Sequence, residues 1–383
     1  AIILAGCVAA FGFLRTPILS IFAAICGFEA AHSSVHAAFW MLYLGAFASG
    51  IAFFLNLRRI GVIIGVAASA LALFTVWAFP ASPLSQLFLV LVTVGALIIS
   101  IYSIGYMANE ERQGWYWFFL LLTFASLAGI FSSDSASSLY GNWELMTFAS
   151  FFLVAHEADY TARSAGLKYY VMCAGGALFM LPGILILSGP GHLAAVDAIT
   201  APAAWSGILN LPAGWIQAAL ILCIAGFGVK AGLVPMHSWL PDAHPAAPSS
   251  VSAPLSGIIT KMGFFGLAAV CAGQMGQALT ATPGYFGLSW YGTGLAALGI
   301  ATLFYGELMA LKQRDIKRML AYSTLGQIGE ITIVLSLGTL LATTASFFHI
   351  LNHAIMKDLL FLCAGALILR AGTRTLSDFR GAA

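Results

Sequence analysis

Three lysines, Lys230, Lys261 and Lys357, stand inside long apolar stretches of a 383-residue chain in which only 8% of residues are Asp, Glu, Lys or Arg. An ionisable side chain within hydrocarbon costs about 2.5–3.5 kcal/mol on insertion scales, so each is a functional candidate by default. That all three are lysines points to proton chemistry, because a buried amine can gain and lose a proton whereas a guanidinium stays charged. Glu144, in YGNWELMTFASFFL, is the acidic counterpart. It has no base beside it in the sequence, so its partner must come from another helix. A Glu–Lys pair in low dielectric holds both groups charged, and parting them favours the neutral form of each, so the output of such a switch is a proton.

His349, His353 and Lys357 follow at i, i+4 and i+8 in HILNHAIMKDLL and share one helix face. An imidazole donates at one nitrogen and accepts at the other, which suits proton hopping. A pair of core histidines bonded to backbone or hydroxyls is the plainer reading. A zinc site is weaker, because HxxxH here lacks the Glu of HExxH and has no evident third ligand. Glu330, in AYSTLGQIGEITIVL, is a second buried carboxylate that could pair with a lysine or a histidine. Glu307, Asp315 and Asp358 lie near basic residues and read as interfacial ion pairs. For any single lysine, an ion pair that only fixes helix packing, or a stem that snorkels to the interface, explains the residue equally well. Three lysines together with a carboxylate favour function.

Residues 230–263 read KAGLVPMHSWLPDAHPAAPSSVSAPLSGIITKMG, with five prolines after Lys230. Pro235 lies about a turn beyond Lys230 and removes a backbone donor, so the helix is expected to break or end there. Broken helices at membrane depth are tolerated where they line a hydrated or protein-filled cavity. His237, Asp242 and His244 then fall in the connection, where capping or loop docking is favoured over metal binding, with His237 a possible additional relay group. Pro254 should perturb the next span before it reaches Lys261.

The elements that hold these residues follow from composition. Apolar residues make up 61% of the chain and charged residues only 8%, against roughly 25% charged in an ordinary soluble domain. A helix needs about 20 apolar residues to cross the hydrocarbon, and hydropathy gives about a dozen such spans. They are 1–26, 37–57, 60–79, 84–106, 114–131, 137–156, 166–188, 213–234, 248–272, 286–311, 318–341 and 344–370. Arg15-Thr16-Pro17 interrupts the first. The runs lack the alternation of membrane strands, so the fold class is all-α, a polytopic bundle with broken helices.

Basic residues test this map independently. Arg58, Arg59, Arg112, Arg163, Lys168, Lys312, Arg314, Lys317, Arg318, Arg370, Arg374 and Arg380 all fall on one face. The opposite connections, 27–36, 80–83, 132–136, 189–212, 273–285 and 342–343, contain no Lys or Arg. The net charge of +2 is thus a matter of topology, and no aromatic-basic patch suggests nucleic acid. The six cysteines show no CxxC spacing, which argues against iron–sulfur or zinc clusters and leaves small core residues. No GxGxxG or GxxxxGK[ST] loop suggests NADH or ATP binding. No cofactor is therefore expected in this chain, and any redox centres belong to partner subunits. The chain begins without Met and ends in LSDFRGAA, which reads as a trimmed or partial chain without a cleavable signal peptide.

From about Ile101 to Leu369 the sequence resembles the antiporter-like membrane subunits shared by respiratory complex I, membrane-bound hydrogenases of the formate hydrogenlyase type, and Mrp-type sodium/proton antiporters. Residues 230–263 match the family pattern of a Lys, then PxHxWLPDAHxxAPxxVSAxLSG, then a second Lys. GNWELMTFAS, KQRDIKRMLAYSTLGQIG and HILNHAIMKDLLFLCAGA match three further blocks in order. WELMTFAS leans toward the hydrogenase-type subunits.

The resemblance implies two inverted helix repeats, with 1–106 preceding them, 107–272 the first and 273–383 the second, cut short before the broken helix that would carry the exit residue. It also implies a subunit that conducts protons along the membrane centre, driven by a partner complex. Glu144 and Lys230 are similar to the family's gating pair, Lys261 to its central relay lysine, and His349, His353 and Lys357 to the block leading toward the exit. The implied partners are other membrane subunits, a peripheral electron-transfer arm and the bilayer. The implied cargo is protons, with sodium as the alternative. A sodium cage of several oxygens is not visible, which favours protons. A stand-alone or Mrp-like antiporter and a scaffold with a vestigial path remain as alternatives. The expected location is a bacterial or archaeal inner membrane with the basic loops cytoplasmic.

Overall fold

The computed structural model describes residues 36–78, 83–133, 136–188, 213–272, 284–285 and 287–379. The expected span 1–26 lies outside them. The regular structure is helical: α1 His36–Phe54, α2 Arg58–Ala78, α3 Pro83–Tyr106, α4 Gln113–Phe131, α5 Ala136–Val154, α6 Tyr160–Ser188, α7 Ala213–Ala231, α8 Leu240–Ala246, α9 Ser249–Pro254, a π-helical turn Leu255–Ile259, α10 Lys261–Ala272, α11 Trp290–Leu311, α12 Ile316–Ser336 and α13 Leu340–Ala371.

These boundaries follow the hydropathy map closely, with shifts that local chemistry explains. Helix α6 begins at Tyr160 rather than 166 because Asp159 accepts from the Ala162 amide at 2.6 Å. Asp315, expected in an interfacial ion pair, caps α12 by accepting from the Arg318 amide at 2.9 Å. Thr339 caps α13 in the same way. The expected single span 248–272 is three pieces. Pro254 contributes no amide, and the turn after it widens to an i→i−5 bond from Thr260 to the Leu255 carbonyl.

Among the described residues, eight helical segments are long and apolar enough to cross a membrane. Helices α5, α12 and α13 are not among them, and these carry Glu144, Glu330 and the His349–Lys357 stripe. Every residue of Ser249–Ala268 is buried by other helices, so its irregular backbone never meets lipid. The outer helices do the reverse: Ile63, Leu178 and Phe304 are 62–66% exposed, which suits hydrocarbon and would be costly in water. Behind them Phe88, Phe131 and Phe265 meet with ring centroids 4.9–5.3 Å apart and tie α3, α4 and α10 together.

The basic connections converge around α8. Asp242 receives Lys168 at 2.7 Å and Arg318 at 3.2 Å. Arg374 donates to the Pro245 carbonyl at 2.5 Å, and Lys317 to the Ala247 carbonyl. Asp242 therefore docks the loop. Its pairs are over a third exposed and are worth at most about 1 kcal/mol each. Lys317 differs from its neighbours, being only 3% exposed rather than solvated.

Candidate functional site

Lys230 occupies the last turn of α7, where the carbonyl end of a helix favours a cation. The helix stops earlier than the proline suggests. Gly232 takes φ +86, a left-handed conformation open to glycine, and the Gly232 and Leu233 amides return to the Val229 and Gly228 carbonyls in a Schellman closure. Pro235 follows on a backbone already turned. Trp239 donates its indole N–H to the Val229 carbonyl at 2.8 Å, and Thr302 accepts the Val234 amide at 3.0 Å. The polar groups freed by the break thus find protein partners. Trp239→Phe removes one of these bonds from a fully buried position. It should lower stability by about 1–3 kcal/mol, read as a lower melting temperature of the detergent-solubilised protein.

The Lys230 ammonium is 1% exposed and donates to Tyr169 Oη at 2.9 Å and Thr147 Oγ1 at 3.0 Å. Both acceptors are themselves engaged. Thr147 donates to the Trp143 carbonyl, while Tyr169 lies 2.7 Å from Ser150 Oγ, which donates to the Met146 carbonyl. Since Ser150 spends its hydrogen on Met146, Tyr169 donates to Ser150, and a directed chain runs from Lys230 through Tyr169 and Ser150 to Met146. Glu144 sits one turn before Thr147 on α5. No closed ion pair joins Glu144 to Lys230; the hydroxyls of Thr147 and Tyr169 hold the amine instead.

Lys261, fully buried, begins α10 beneath the π turn and donates to the Ser256 carbonyl at 2.9 Å and Thr260 Oγ1 at 3.0 Å. Ser256 Oγ is 2.7 Å from Thr324 Oγ1 on α12. The neighbouring Ser323 accepts from Lys357 at 2.9 Å, and Lys357 also donates to the Leu320 carbonyl at 3.2 Å. The π turn, α12 and α13 therefore join Lys261 and Lys357 through one patch of hydroxyls and carbonyls. The Lys230 network lies on α5 and α6, across the tight contact of α7 with α10.

His349 and His353 stack in parallel, 6.4 Å between centroids and 7° between planes. His353 is 1% exposed with both ring nitrogens free of hydrogen bonds. His349 faces Glu330 across 3.6 Å, each about two-fifths exposed. The structure thus brings Glu330 to the histidine end of the stripe and not to a lysine. His237 stands apart from the lysine networks, with its ring 4.5 Å from that of Tyr305. Burial holds it below the ordinary imidazole range, against the neighbouring Pro235 carbonyl. His244 is fully buried, stacks on Phe361 at 4.8 Å and hydrogen-bonds through neither nitrogen, so it does not serve as a cap.

Tyr169, Thr147 and Ser323 hold the lysines by hydroxyls and Ser256 by its carbonyl, and a hydroxyl within an apolar span is the only mark each carries in the sequence. Asp358 departs from the interfacial ion pair expected of it. It is no interfacial ion pair, because its Oδ1 is buried and without a hydrogen bond. Among the described residues, no group of three or more His, Cys, Asp or Glu side chains is placed to hold a metal.

A family model described as the transmembrane part of NADH:quinone oxidoreductase and Mrp antiporters matches residues 132–382. The chain belongs to this family. A second model, described as the N-terminus of complex I chain 5, matches residues 71–119. Hydrogenase-4 component B of Escherichia coli K12 is 34% identical over 307 residues, covering 76% of this chain and 44% of that protein. NADH-quinone oxidoreductase subunit N of Desulforudis audaxviator is 31% identical, covering 79% and 58%. Na(+)/H(+) antiporter subunit A1 of Staphylococcus aureus is 33% identical, covering 78% and 37%. The chain spans about half the length of these relatives. Its fold is similar to a chain of the archaeal membrane-bound sulfane sulfur reductase, with TM-score 0.74 and 24% identity over 91% of this chain and 74% of that one. A chain of the Mrp complex from Dietzia gives TM-score 0.75 and 24% identity over 88% and 38%.

Proposed function

We propose that this chain is a proton-translocating membrane subunit of a complex I-like or membrane-bound hydrogenase-like oxidoreductase, in which Lys230, Lys261 and Lys357 carry protons along the membrane centre. The observation that supports this most directly is that three buried amines, each inside an apolar bundle, are all held by neutral hydroxyls and carbonyls. An amine held by neutral acceptors can release its proton without stranding a counter-charge. Glu144 is the switch, pairing with Lys230 when it displaces the hydroxyls and releasing it when it withdraws. His349 and His353 extend the path from Lys357 toward Glu330, and His237 has a lesser role near the break.

The family's printed names include components of hydrogenase, quinone oxidoreductase and antiporter assemblies, which supports other membrane subunits as partners. A peripheral electron-transfer arm holding the redox cofactors, and a bacterial or archaeal cell membrane with the basic face in the cytoplasm, belong to the same proposal.

The test compares the native assembly with a Lys230→Met variant in sealed vesicles, recording electron transfer, proton movement and sodium movement together. Proton movement lost in an intact assembly is the expected result. Sodium movement that persists without protons would replace the proton reading with an antiporter of different cargo. Proton movement unchanged at unchanged turnover would sink it in favour of a scaffold.

A further inference from the structure

A carboxylate lies over the π turn, one helical turn before Lys261. Asp358 projects from α13 onto the π turn, where its Oδ1 sits over Gly257; a Cβ built on Gly257 would collide with that oxygen and come within 2.7 Å of the carboxyl carbon. On the α3 side, a Cβ built on Gly95 would lie 4.0 Å from Oδ2. Two residues without side chains thus make the space the carboxylate fills. The space supplies no donor to Oδ1, which is buried and accepts no hydrogen bond. A buried carboxyl oxygen without a donor is costly unless the group holds a proton or a cation compensates it. Lys261 stands one helical turn after Gly257, and no ion pair within 4 Å joins it to Asp358 in this arrangement. Its ammonium is bonded to the Ser256 carbonyl, on the residue next to the glycine that Asp358 covers.

We infer that Asp358 and Lys261 form a second acid–base pair in the relay, distinct from Glu144 and Lys230. The step is a proton transfer that conserves charge. When the Lys261 ammonium leaves the Ser256 carbonyl and meets Asp358, it gives its proton to the carboxylate, leaving a neutral amine and a neutral carboxyl. The amine is then free to accept the next proton from the Lys230 side, and the carboxyl to release its own toward Lys357, whose hydroxyl patch begins at Ser256. The π turn serves the pair by widening the backbone, so that one short stretch presents a bare Cα to Asp358 and a carbonyl to Lys261.

The relay role rests on the proton-conducting reading, whereas the pairing does not, and two measurements separate them. Melting of the solubilised native assembly is compared for Lys261→Met, Asp358→Asn and the double variant. Removing one partner strands the other, whereas removing both relieves it. The double variant is therefore expected to melt higher than Lys261→Met alone, and additive shifts would overturn the pairing. Proton movement is then followed in vesicles beside the Lys230→Met control, with Asp358→Ser as a smaller neutral replacement should the asparagine fail to assemble. Loss of at least about tenfold in the assembled Asp358 variant is expected. Unchanged proton movement there, with Lys230→Met inactive, would overturn Asp358 as a relay group and leave the proposed function standing. Unchanged movement in Lys230→Met as well would overturn both, leaving a coupled melting cycle as evidence of a purely structural pair.

Discussion

Lys230→Arg is expected to assemble normally and to stop proton movement, by about a hundredfold or more, even though it keeps the positive charge. The hydroxyls around Lys230 explain why. Thr147 and Tyr169 offer lone pairs that a guanidinium can use as readily as an ammonium. An arginine, however, does not release its proton at any accessible pH, so it can hold the site but cannot hand a proton on. Lys230→Met should be tolerated for a complementary reason. Thr147 and Tyr169 already donate to the Trp143 carbonyl and to Ser150, so withdrawing the ammonium leaves neither with an unspent hydrogen. The checking measurement is dye-reported acidification of sealed vesicles at matched electron-transfer rate and matched subunit content. Near-normal proton movement in Lys230→Arg would mean that Lys230 acts as a fixed charge, and the relay would have to run through other groups.

The second large effect concerns the crossing that brings the two central lysines together. Gly263 lies on α10 half a turn past Lys261 and packs against the end of α7, where a Cβ would stand 2.5 Å from both the Ala231 amide nitrogen and the Phe227 carbonyl oxygen. These are backbone atoms in the turn that carries Lys230, and they cannot step aside as a flexible side chain would. Gly263→Val should therefore push α10 off α7 and cost about 3 kcal/mol or more, at the upper end of overpacking effects. Gly175, on α6, is the control, because nothing lies within 4 Å of a Cβ there. Gly175→Ala should be neutral or stabilise by up to about 1 kcal/mol through helix propensity. Thermal unfolding of the solubilised protein, followed alongside subunit assembly, decides the matter. Equal melting of the two variants would contradict the close crossing.

Among the described residues the spans lie where the apolar runs put them, although 248–272 divides into three pieces, and the alternation of basic connections and the buried amines were legible in the sequence. Each depends on a property local to the chain. Bilayer thickness sets the length of an apolar run, loops of alternate parity collect the basic residues, and a lysine in hydrocarbon stands out wherever it occurs. Even the break after Lys230 was announced, although glycine and not proline makes it.

What each amine touches came from packing. Lys230 is bonded to residues 61 and 83 positions away in the sequence, and Lys261 connects to Lys357 through Ser256, Thr324 and the Leu320 carbonyl on a third helix. An ordinary Thr or Tyr in an apolar span carries no mark of that task. Glu144 looked ready to close on Lys230, yet the geometry of α5 and α6 puts two hydroxyls there first. Asp358 shows the same limit most sharply. It follows Lys357 directly, which suggests a pair, but successive helix residues point about 100° apart and do not face each other. The rotation that sends Lys357 toward Ser323 on α12 sends Asp358 to the glycine on the π turn, and only the packing of α13 against that turn places the carboxylate over Gly257, one turn from Lys261.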